Sequence, residues 1–121
     1  MKILVIDDDS QIRLVLREML SWGGYEVLEA ENGREGLLLQ RQYRADLVIT
    51  DLIMPEQEGL ETIAALKKEF PNLKIIAVSG GGRVGPDMYL PTAQAFGADM
   101  VFSKPFDIRR LSEAVKGLLA G

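Results

Sequence analysis

Three consecutive acidic residues stand at the end of the first apolar run of the chain. Asp7, Asp8 and Asp9 follow directly on the run at residues 3–6. Adjacent carboxylates repel one another, and the end of a strand has no structural need for three of them. A cation bound at this place would neutralise the repulsion. Oxygen ligands without nitrogen or sulfur favour Mg²⁺, with Mn²⁺ as the alternative.

Three further reactive side chains occupy matching places, each at or just beyond an apolar run: Asp51, Ser79 and Lys104. An aspartate carboxylate can accept a phosphoryl group, and a lysine can balance the charge of the phosphoryl oxygens. A serine hydroxyl can donate a hydrogen bond to the same group. If these side chains meet the acidic run in space, they form a metal-dependent phosphoryl-transfer site on Asp51.

The elements that would position these residues alternate between strands and helices. Apolar runs without alternation predict strands covered on both faces, as in a parallel sheet, over residues 3–6, 47–49, 75–78 and 100–102, with a weaker run over residues 27–30. Apolar residues at helical spacing predict amphipathic helices over residues 12–20, 33–43, 60–70 and 108–119. Ser10 and Asp107 are predicted to cap the first and last of these helices. Glycines and prolines in residues 80–97 predict a flexible loop and a short helix that ends near Phe96.

This alternation predicts an α/β fold with a doubly wound, five-stranded parallel sheet. The carboxyl ends of parallel strands lie on one edge, where ligands of open α/β sheets bind. The acidic run, Asp51, Ser79 and Lys104 would therefore share one rim. If the first and third strands are neighbours, Asp8 and Asp51 lie about 5 Å apart, which allows one cation to bridge them.

Composition limits the other possibilities. The 121 residues, 47% of them apolar, predict one globular domain over residues 1–121. The chain has neither cysteine nor histidine, which excludes disulfides, thiolate metal sites and imidazole acid–base chemistry. A net charge of −4 disfavours direct nucleic acid binding, and no apolar stretch reaches the roughly 20 residues of a membrane span. We expect no membrane association and a cytoplasmic location, which the lack of cysteine permits.

The motifs that carry these residues resemble the receiver domain of bacterial two-component response regulators. The matching segments, in order and spacing, are residues 5–9, 51–55, 59–60, 78–80, 97–99 and 104–106. The resemblance runs from Lys2 to about Leu119. It implies a flavodoxin-like sheet with strand order 2-1-3-4-5, the order of the chemotaxis member of this family.

The resemblance also implies a phosphoacceptor and a metal site. Asp51 resembles the aspartate that accepts a phosphoryl group from a histidine kinase or a phosphotransfer protein. Asp8 and Asp51 resemble direct Mg²⁺ ligands, and Asp7 resembles a ligand that acts partly through water. The backbone carbonyl of Ile53 would complete the protein ligands.

The remaining residues of the motifs are expected to report phosphorylation to a partner surface. Lys104 resembles the lysine that pairs with the phosphoryl group, and the peptide bond before Pro105 is expected to be cis. Ser79 resembles the switch hydroxyl that moves toward the phosphoryl group. Asp9 has no assigned role in the family and is expected to act as a second-sphere or helix N-terminal charge.

Two features leave the output of the domain open. In many receivers an aromatic residue stands three positions before the lysine, but here that residue is Val101. Phe102 is displaced by one position and is predicted to face the other side of the strand. The family's partner and dimerisation surface includes the helix expected within residues 80–97. The sequence therefore leaves open the downstream protein target, and whether the chain is a monomer or a phosphorylation-dependent dimer.

Two alternative functions remain beside the phosphoacceptor. A degenerate receiver could act only as an unphosphorylated interaction module. A small Mg²⁺-dependent phosphatase could use Asp7 as its nucleophile, since Asp7, Asp9, Ser79 and Lys104 superficially resemble the haloacid dehalogenase pattern. That pattern requires a further acidic motif well after the lysine and gives Asp51 no role. We therefore expect a signalling protein that is not an enzyme and catalyses only its own phosphorylation and dephosphorylation.

Overall fold

A five-stranded sheet forms the centre of the computed structural model, which describes residues 1–52, 59–79, 94 and 96–120. The strands are β1 (Lys2–Ile6), β2 (Glu26–Ala30), β3 (Leu47–Asp51), β4 (Lys74–Ser79) and β5 (Met100–Ser103). The helices that we number here are α1 (Ser10–Trp22), α2 (Gly33–Tyr43), α3 (Gly59–Glu69) and α4 (Ile108–Ala120). All neighbouring strands are parallel, and their order is β2-β1-β3-β4-β5. The predicted fold class and strand order are confirmed.

Both faces of the sheet are covered by helices, which explains why its central strands are almost entirely apolar. Ile3 and Val5 of β1 pack into a cluster with α1 and α4, whereas Leu4 and Ile6 pack into a cluster with α2 and α3. All four side chains are fully buried. Each buried aliphatic side chain of this kind contributes about 1.5–3 kcal/mol, so these two layers are the main source of stability.

The residues of β5 follow the same alternation between the two layers. Val101 packs against the cluster that contains α3, and Phe102 packs against the cluster that contains α1 and α4. The prediction that Phe102 faces the opposite side of the strand from Val101 is confirmed. An aromatic side chain at position 102 therefore lies on the α1 and α4 side of the sheet.

The cap of α1 differs from the prediction. Asp9, not Ser10, is the N-cap: its backbone is extended (φ −87°, ψ 111°), and its carboxylate accepts hydrogen bonds from two backbone N–H groups of the first turn. The prediction of Ser10 was wrong because aspartate and serine are about equally good caps, and Ser10 is already helical. Asp107 caps α4 as predicted, accepting the N–H of Arg109 at 2.9 Å.

Two glycines allow helices to approach the sheet closely. A Cβ at Gly36 of α2 would lie 2.3 Å from the side chain of Ile6. At Gly59, the first residue of α3, a Cβ would lie 2.3 Å from both the carbonyl oxygen of Asp51 and the Cα of Leu52. Because these last two atoms belong to the backbone, no rotamer change can make room for a side chain. Gly59 therefore lets α3 begin directly beside the end of β3.

The predicted loop over residues 80–91 lies outside the described residues. Near the end of that segment, Gln94 and Phe96 are helical, and the N–H of Gly97 donates to the carbonyl of Gln94 at 3.1 Å. This agrees with a helix that ends near Phe96. In the part of the chain that the structure describes, no helix combines the length and the apolar character that crossing a membrane requires.

Candidate functional site

Three carboxylates meet at the rim where β1 and β3 end. These strands are parallel neighbours, so Asp7 and Asp51 lie side by side at the same edge of the sheet. One carboxylate oxygen from each of Asp7, Asp8 and Asp51 lies within 4.8 Å of the other two. The structure thus brings together the three side chains predicted to hold a metal ion. The predicted fourth ligand, the carbonyl of Ile53, lies outside the described residues.

The three carboxylates differ in their exposure to water. Asp7 is 3% exposed and Asp51 5% exposed, whereas Asp8 is exposed. Burial raises the pKa of Asp7 above its usual value, although the N–H of Asp9, donating at 2.9 Å, and the nearby Lys104 oppose that shift. The rim therefore combines buried negative charge with one ligand that faces solvent.

Lys104 lies between the two buried carboxylates. Its Nζ is 2.9 Å from Oδ2 of Asp7 and 3.2 Å from Oδ2 of Asp51. Burial lowers the pKa of Lys104, but its hydrogen bond to Asp7 and the charges of Asp51 and Asp7 outweigh burial and raise the pKa overall. The backbone N–H of Lys104 donates to the carbonyl of Ser79, and the peptide bond from Lys104 to Pro105 is cis. One ammonium thus serves two carboxylates.

The hydroxyl of Ser79 completes the set at the end of β4. Ser79 is fully buried, and its Oγ has no hydrogen-bond partner among the residues that the structure describes. The residue before it, Val78, is the register partner of Asp51. A buried hydroxyl without a partner is unfavourable, and native proteins contain few such groups. In the described part of the chain, Ser79 therefore presents a buried hydroxyl without a partner at the end of the strand that neighbours β3.

The arrangement fits a divalent cation. Among the residues that the structure describes, three carboxylates and one ammonium meet at the rim, so negative charge is in excess there. All side-chain donors in the cluster are oxygens, the ligand type that Mg²⁺ prefers, and Asp8 keeps the cluster open to solvent. Asp9 is not a member of this cluster, because its carboxylate caps α1.

Two residues that support the acidic turn, Arg13 and Glu29, were not predicted from the sequence. Nη1 of Arg13 donates to the carbonyl of Asp7 at 2.6 Å, and its Nε donates to Glu29 at 3.3 Å. Glu29 also accepts a hydrogen bond from Arg17 at 2.7 Å. A signal for this network was present in the sequence, since Glu29 interrupts the apolar run of β2. A charged residue within a strand of a covered parallel sheet needs a nearby partner.

Comparison with known proteins shows which family of domains this chain is similar to. The family described as "Response regulator receiver domain" matches residues 3–116. The chain is 35% identical over 118 residues to sporulation initiation phosphotransferase F of Bacillus subtilis, covering 98% of this chain and 93% of that protein. It is 35% identical over 115 residues to chemotaxis protein CheY of Thermotoga maritima, covering 94% of this chain and 93% of that protein.

A solved structure gives the same result for the fold. The crystal structure of a response regulator receiver domain protein from Clostridium thermocellum superposes with a TM-score of 0.90 at 33% identity, covering 98% of this chain and 94% of that chain. The range matched by the family, residues 3–116, contains every residue of the rim described above.

Proposed function

Since the chain belongs to the response regulator receiver domain family, we propose that Asp51 is the residue on which it accepts a phosphoryl group. Receiver domains act in phosphorelays and interact with histidine kinases or phosphotransfer proteins. The observation that carries the proposal is the meeting of Asp51 with two further carboxylates and with Lys104 at one buried rim. We assign this role to a single receiver domain over residues 1–121.

The proposed step transfers a phosphoryl group from a phosphohistidine of the partner. A carboxylate oxygen of Asp51 attacks phosphorus, the new P–O bond forms, and the P–N bond breaks. The electron pair of the broken bond stays on the imidazole nitrogen, which takes up a proton. Lys104 already contacts Asp51 through its ammonium, so it can balance the charge of the phosphoryl oxygens as that charge arrives.

The acidic cluster would hold the metal ion of this reaction. Receiver domains bind Mg²⁺ at an acidic site, and Asp7, Asp8 and Asp51 form such a cluster here. When bound, Mg²⁺ would supply positive charge that stabilises the phosphoryl oxygens. The carbonyl of Ile53 is proposed as a further ligand from the family resemblance. Mn²⁺, which accepts the same ligand types, is the proposed substitute.

Ser79 and Lys104 are proposed to report phosphorylation. The buried Ser79 hydroxyl can donate to a phosphoryl oxygen on Asp51, and Lys104 can exchange one of its carboxylate partners for that group. The N–H of Lys104 is bonded to the carbonyl of Ser79, so a backbone displacement at either residue would be passed to the other. The resulting change would be read by a protein partner, with the domain acting as a monomer or as a phosphorylation-dependent dimer and without binding nucleic acid itself.

The alternatives receive less support from the site. Both carboxylate oxygens of Asp7 are engaged, Oδ1 by the N–H of Asp9 and Oδ2 by Lys104, which disfavours Asp7 as the nucleophile of a phosphatase. A degenerate receiver would have no need for the complete set of carboxylates and lysine. We therefore propose that the chain acts in signalling and catalyses only its own phosphorylation and dephosphorylation.

Mapping of a labelled phosphoryl group tests this proposal. The chain is incubated with a labelled small-molecule phosphodonor such as acetyl phosphate, and separately with a phosphorylated histidine kinase, each with and without Mg²⁺. Borohydride reduction converts an aspartyl phosphate to homoserine, which peptide mapping locates. We expect homoserine at position 51, formed only with Mg²⁺, and no labelling of Asp51→Asn.

The control is Asp107→Asn, which makes the same chemical change at the cap of α4, at a residue that is not part of the acidic cluster. It should be labelled as the wild type is, since asparagine is an equally good cap. Label at Asp7, or transfer that survives Asp51→Asn, would overturn the assignment.

A further inference from the structure

Arg13 reaches from the first turn of α1 back to the acidic end of β1. Its Nη1 donates to the carbonyl of Asp7 at 2.6 Å, and its backbone N–H donates to the carbonyl of Asp9 at 3.1 Å. Between these two points, the N–H of Asp9 donates to Oδ1 of Asp7 at 2.9 Å. Arg13 therefore forms hydrogen bonds to both residues that flank Asp8.

Glu29 of β2 fixes the direction of this arginine. Its Oε1 accepts from Nε of Arg13 at 3.3 Å, while its Oε2 accepts from Arg17 at 2.7 Å. The side chain of Arg13 is only 13% exposed, against 57% for Arg17, so the contact between Arg13 and Glu29 is the shielded one. A planar guanidinium donates in several fixed directions, so Arg13 can bind the carboxylate and the carbonyl together.

The carbonyl of Asp7 belongs to the peptide unit that leads into Asp8. Holding this carbonyl toward Arg13 fixes the plane of that peptide, and with it the direction from which the exposed Asp8 carboxylate projects. Without the contact, Asp8 would have to be ordered when the metal ion binds. Hydrogen-bonding partners that orient metal ligands typically change metal affinity by about 10–100-fold.

We infer that Arg13, held by Glu29, is a positioning residue for the metal site of this domain. This inference rests on the proposed function, because it concerns the ion held by Asp7, Asp8 and Asp51. At the rim, the hydrogen bond of the Arg13 side chain is to the backbone carbonyl of Asp7 and not to a carboxylate of the metal site. It acts through the orientation of the Asp7–Asp8 peptide.

Charge alone predicts the opposite effect of removing Arg13. A guanidinium near three carboxylates repels an incoming cation, so its loss would tighten the binding of Mg²⁺ if simple electrostatics decided the result. Loss of a positioning contact would weaken the binding. The sign of the change in affinity therefore separates the two explanations.

The test measures the dissociation constant of Mg²⁺ by isothermal titration calorimetry on the full chain at fixed ionic strength. Arg13→Gln should weaken binding by about 10-fold or more, and Arg13→Lys, which keeps the charge and one donor direction, should restore part of the loss. Glu29→Gln should weaken binding in the wild-type background. It should have no added effect in the Arg13→Gln background, because Glu29 acts through Arg13.

The matched control is Arg41→Gln. Arg41 also forms a two-pronged contact with a glutamate, Glu69, at 2.8 and 2.7 Å, but it lies in the last turn of α2, away from the rim. Its removal changes the net charge by the same amount and should leave the affinity for Mg²⁺ unchanged. Circular dichroism and urea unfolding show which variants remain folded.

The outcomes distinguish this inference from the proposed function. A wild-type chain that binds no Mg²⁺ would contradict the proposed metal site itself. A wild-type chain that binds Mg²⁺, together with an Arg13→Gln variant that binds equally well or more tightly, would overturn the positioning role alone. If Arg13→Gln does not fold, unchanged affinity in both Arg13→Lys and Glu29→Gln would overturn the inference instead.

Discussion

The two ends of the sheet use polar side chains in opposite ways. At the amino end, the buried amide of Gln40 donates to the carbonyl of Ala45 and accepts its N–H, both at 3.0 Å. Asp99 accepts the N–H of Ile75 at 2.8 Å and lies 3.7 Å from Nζ of Lys67. These polar groups are satisfied within the fold: Gln40 joins α2 to the segment that leads into β3, and Asp99 joins the segment before β5 to β4.

At the carboxyl end, two buried carboxylates contact the same ammonium. Asp7 and Asp51 share the ammonium of Lys104, Asp8 adds a third carboxylate, and the Ser79 hydroxyl has no partner in the described part of the chain. Buried charges and donors that lack full pairing cost stability. Among the described residues, the polar side chains of the amino end are therefore paired within the fold, whereas the buried carboxylate of Asp7 and the hydroxyl of Ser79 at the carboxyl end cost stability. The proposed function accounts for this difference, since a metal ion or a phosphoryl group bound at the rim would supply the further partners.

The largest change in the free energy of unfolding is expected at Gln40, at the amino end of the sheet. Gln40→Ala leaves the N–H and the carbonyl of Ala45 without their side-chain partner in a buried place, and it also removes buried side-chain volume. We expect a loss of about 3 kcal/mol in the free energy of unfolding, measured by urea denaturation. The matched control is Gln42→Ala, in the same helix but exposed. Equal losses in the two variants would show that the amide of Gln40 does not support the amino end.

A smaller effect of opposite sign is expected at Asp7. Burial raises its pKa, so ionisation of Asp7 costs more in the folded than in the unfolded state. In the absence of divalent cations, Asp7→Asn should therefore raise the free energy of unfolding at neutral pH by about 1 kcal/mol. The folded wild type loses stability as the pH rises from the ordinary value of 3.8 through the raised pKa of Asp7. The difference in the free energy of unfolding between Asp7→Asn and the wild type should grow as the pH rises through this range. It should disappear below the ordinary pKa of 3.8.

The same substitution at the other end of the sheet provides the control for Asp7. Asp99→Asn weakens the contacts to Lys67 and Ile75 and should lower the free energy of unfolding. Urea unfolding of both variants from pH 3 to pH 7 in EDTA makes the comparison. If Asp7→Asn also destabilises the protein at neutral pH, the proposed difference between the two ends of the sheet is wrong.

The fold and the location of the site followed from the sequence because both depend on periodicity. Strands that helices cover on both faces are mostly apolar, so all five runs could be recognised, although Glu29 interrupts the run of β2. Parallel strands place their carboxyl ends on one edge of the sheet. This rule alone predicts that Asp51 and Lys104 lie near the acidic run.

The contacts that refine the site could not be predicted in the same way. A pattern shows which face of an element is buried, but the reach of Arg13 to the carbonyl of Asp7 depends on the rotamer that remains after packing. The same holds for the approach of Gly36 to Ile6. The error at Ser10 has a different cause, because Asp9 and Ser10 are adjacent residues of nearly equal capping preference.

The smallest expected effect concerns Lys104, whose ammonium is paired with two carboxylates of the rim. Burial of the ammonium opposes the raised pKa, so desolvation offsets part of what the two ion pairs contribute to stability. A raised folded-state pKa contributes stability that is fully present below the ordinary value of 10.5 and is lost as the pH rises through the raised pKa. The stability advantage of the wild type over Lys104→Met should therefore shrink across that alkaline range. Lys68→Met, at an exposed position of α3, controls for the loss of one ammonium. An advantage that stays constant across this range would show that Lys104 contributes through packing and not through its charge, and the carboxyl end would then contain no stabilising ion pair at Lys104.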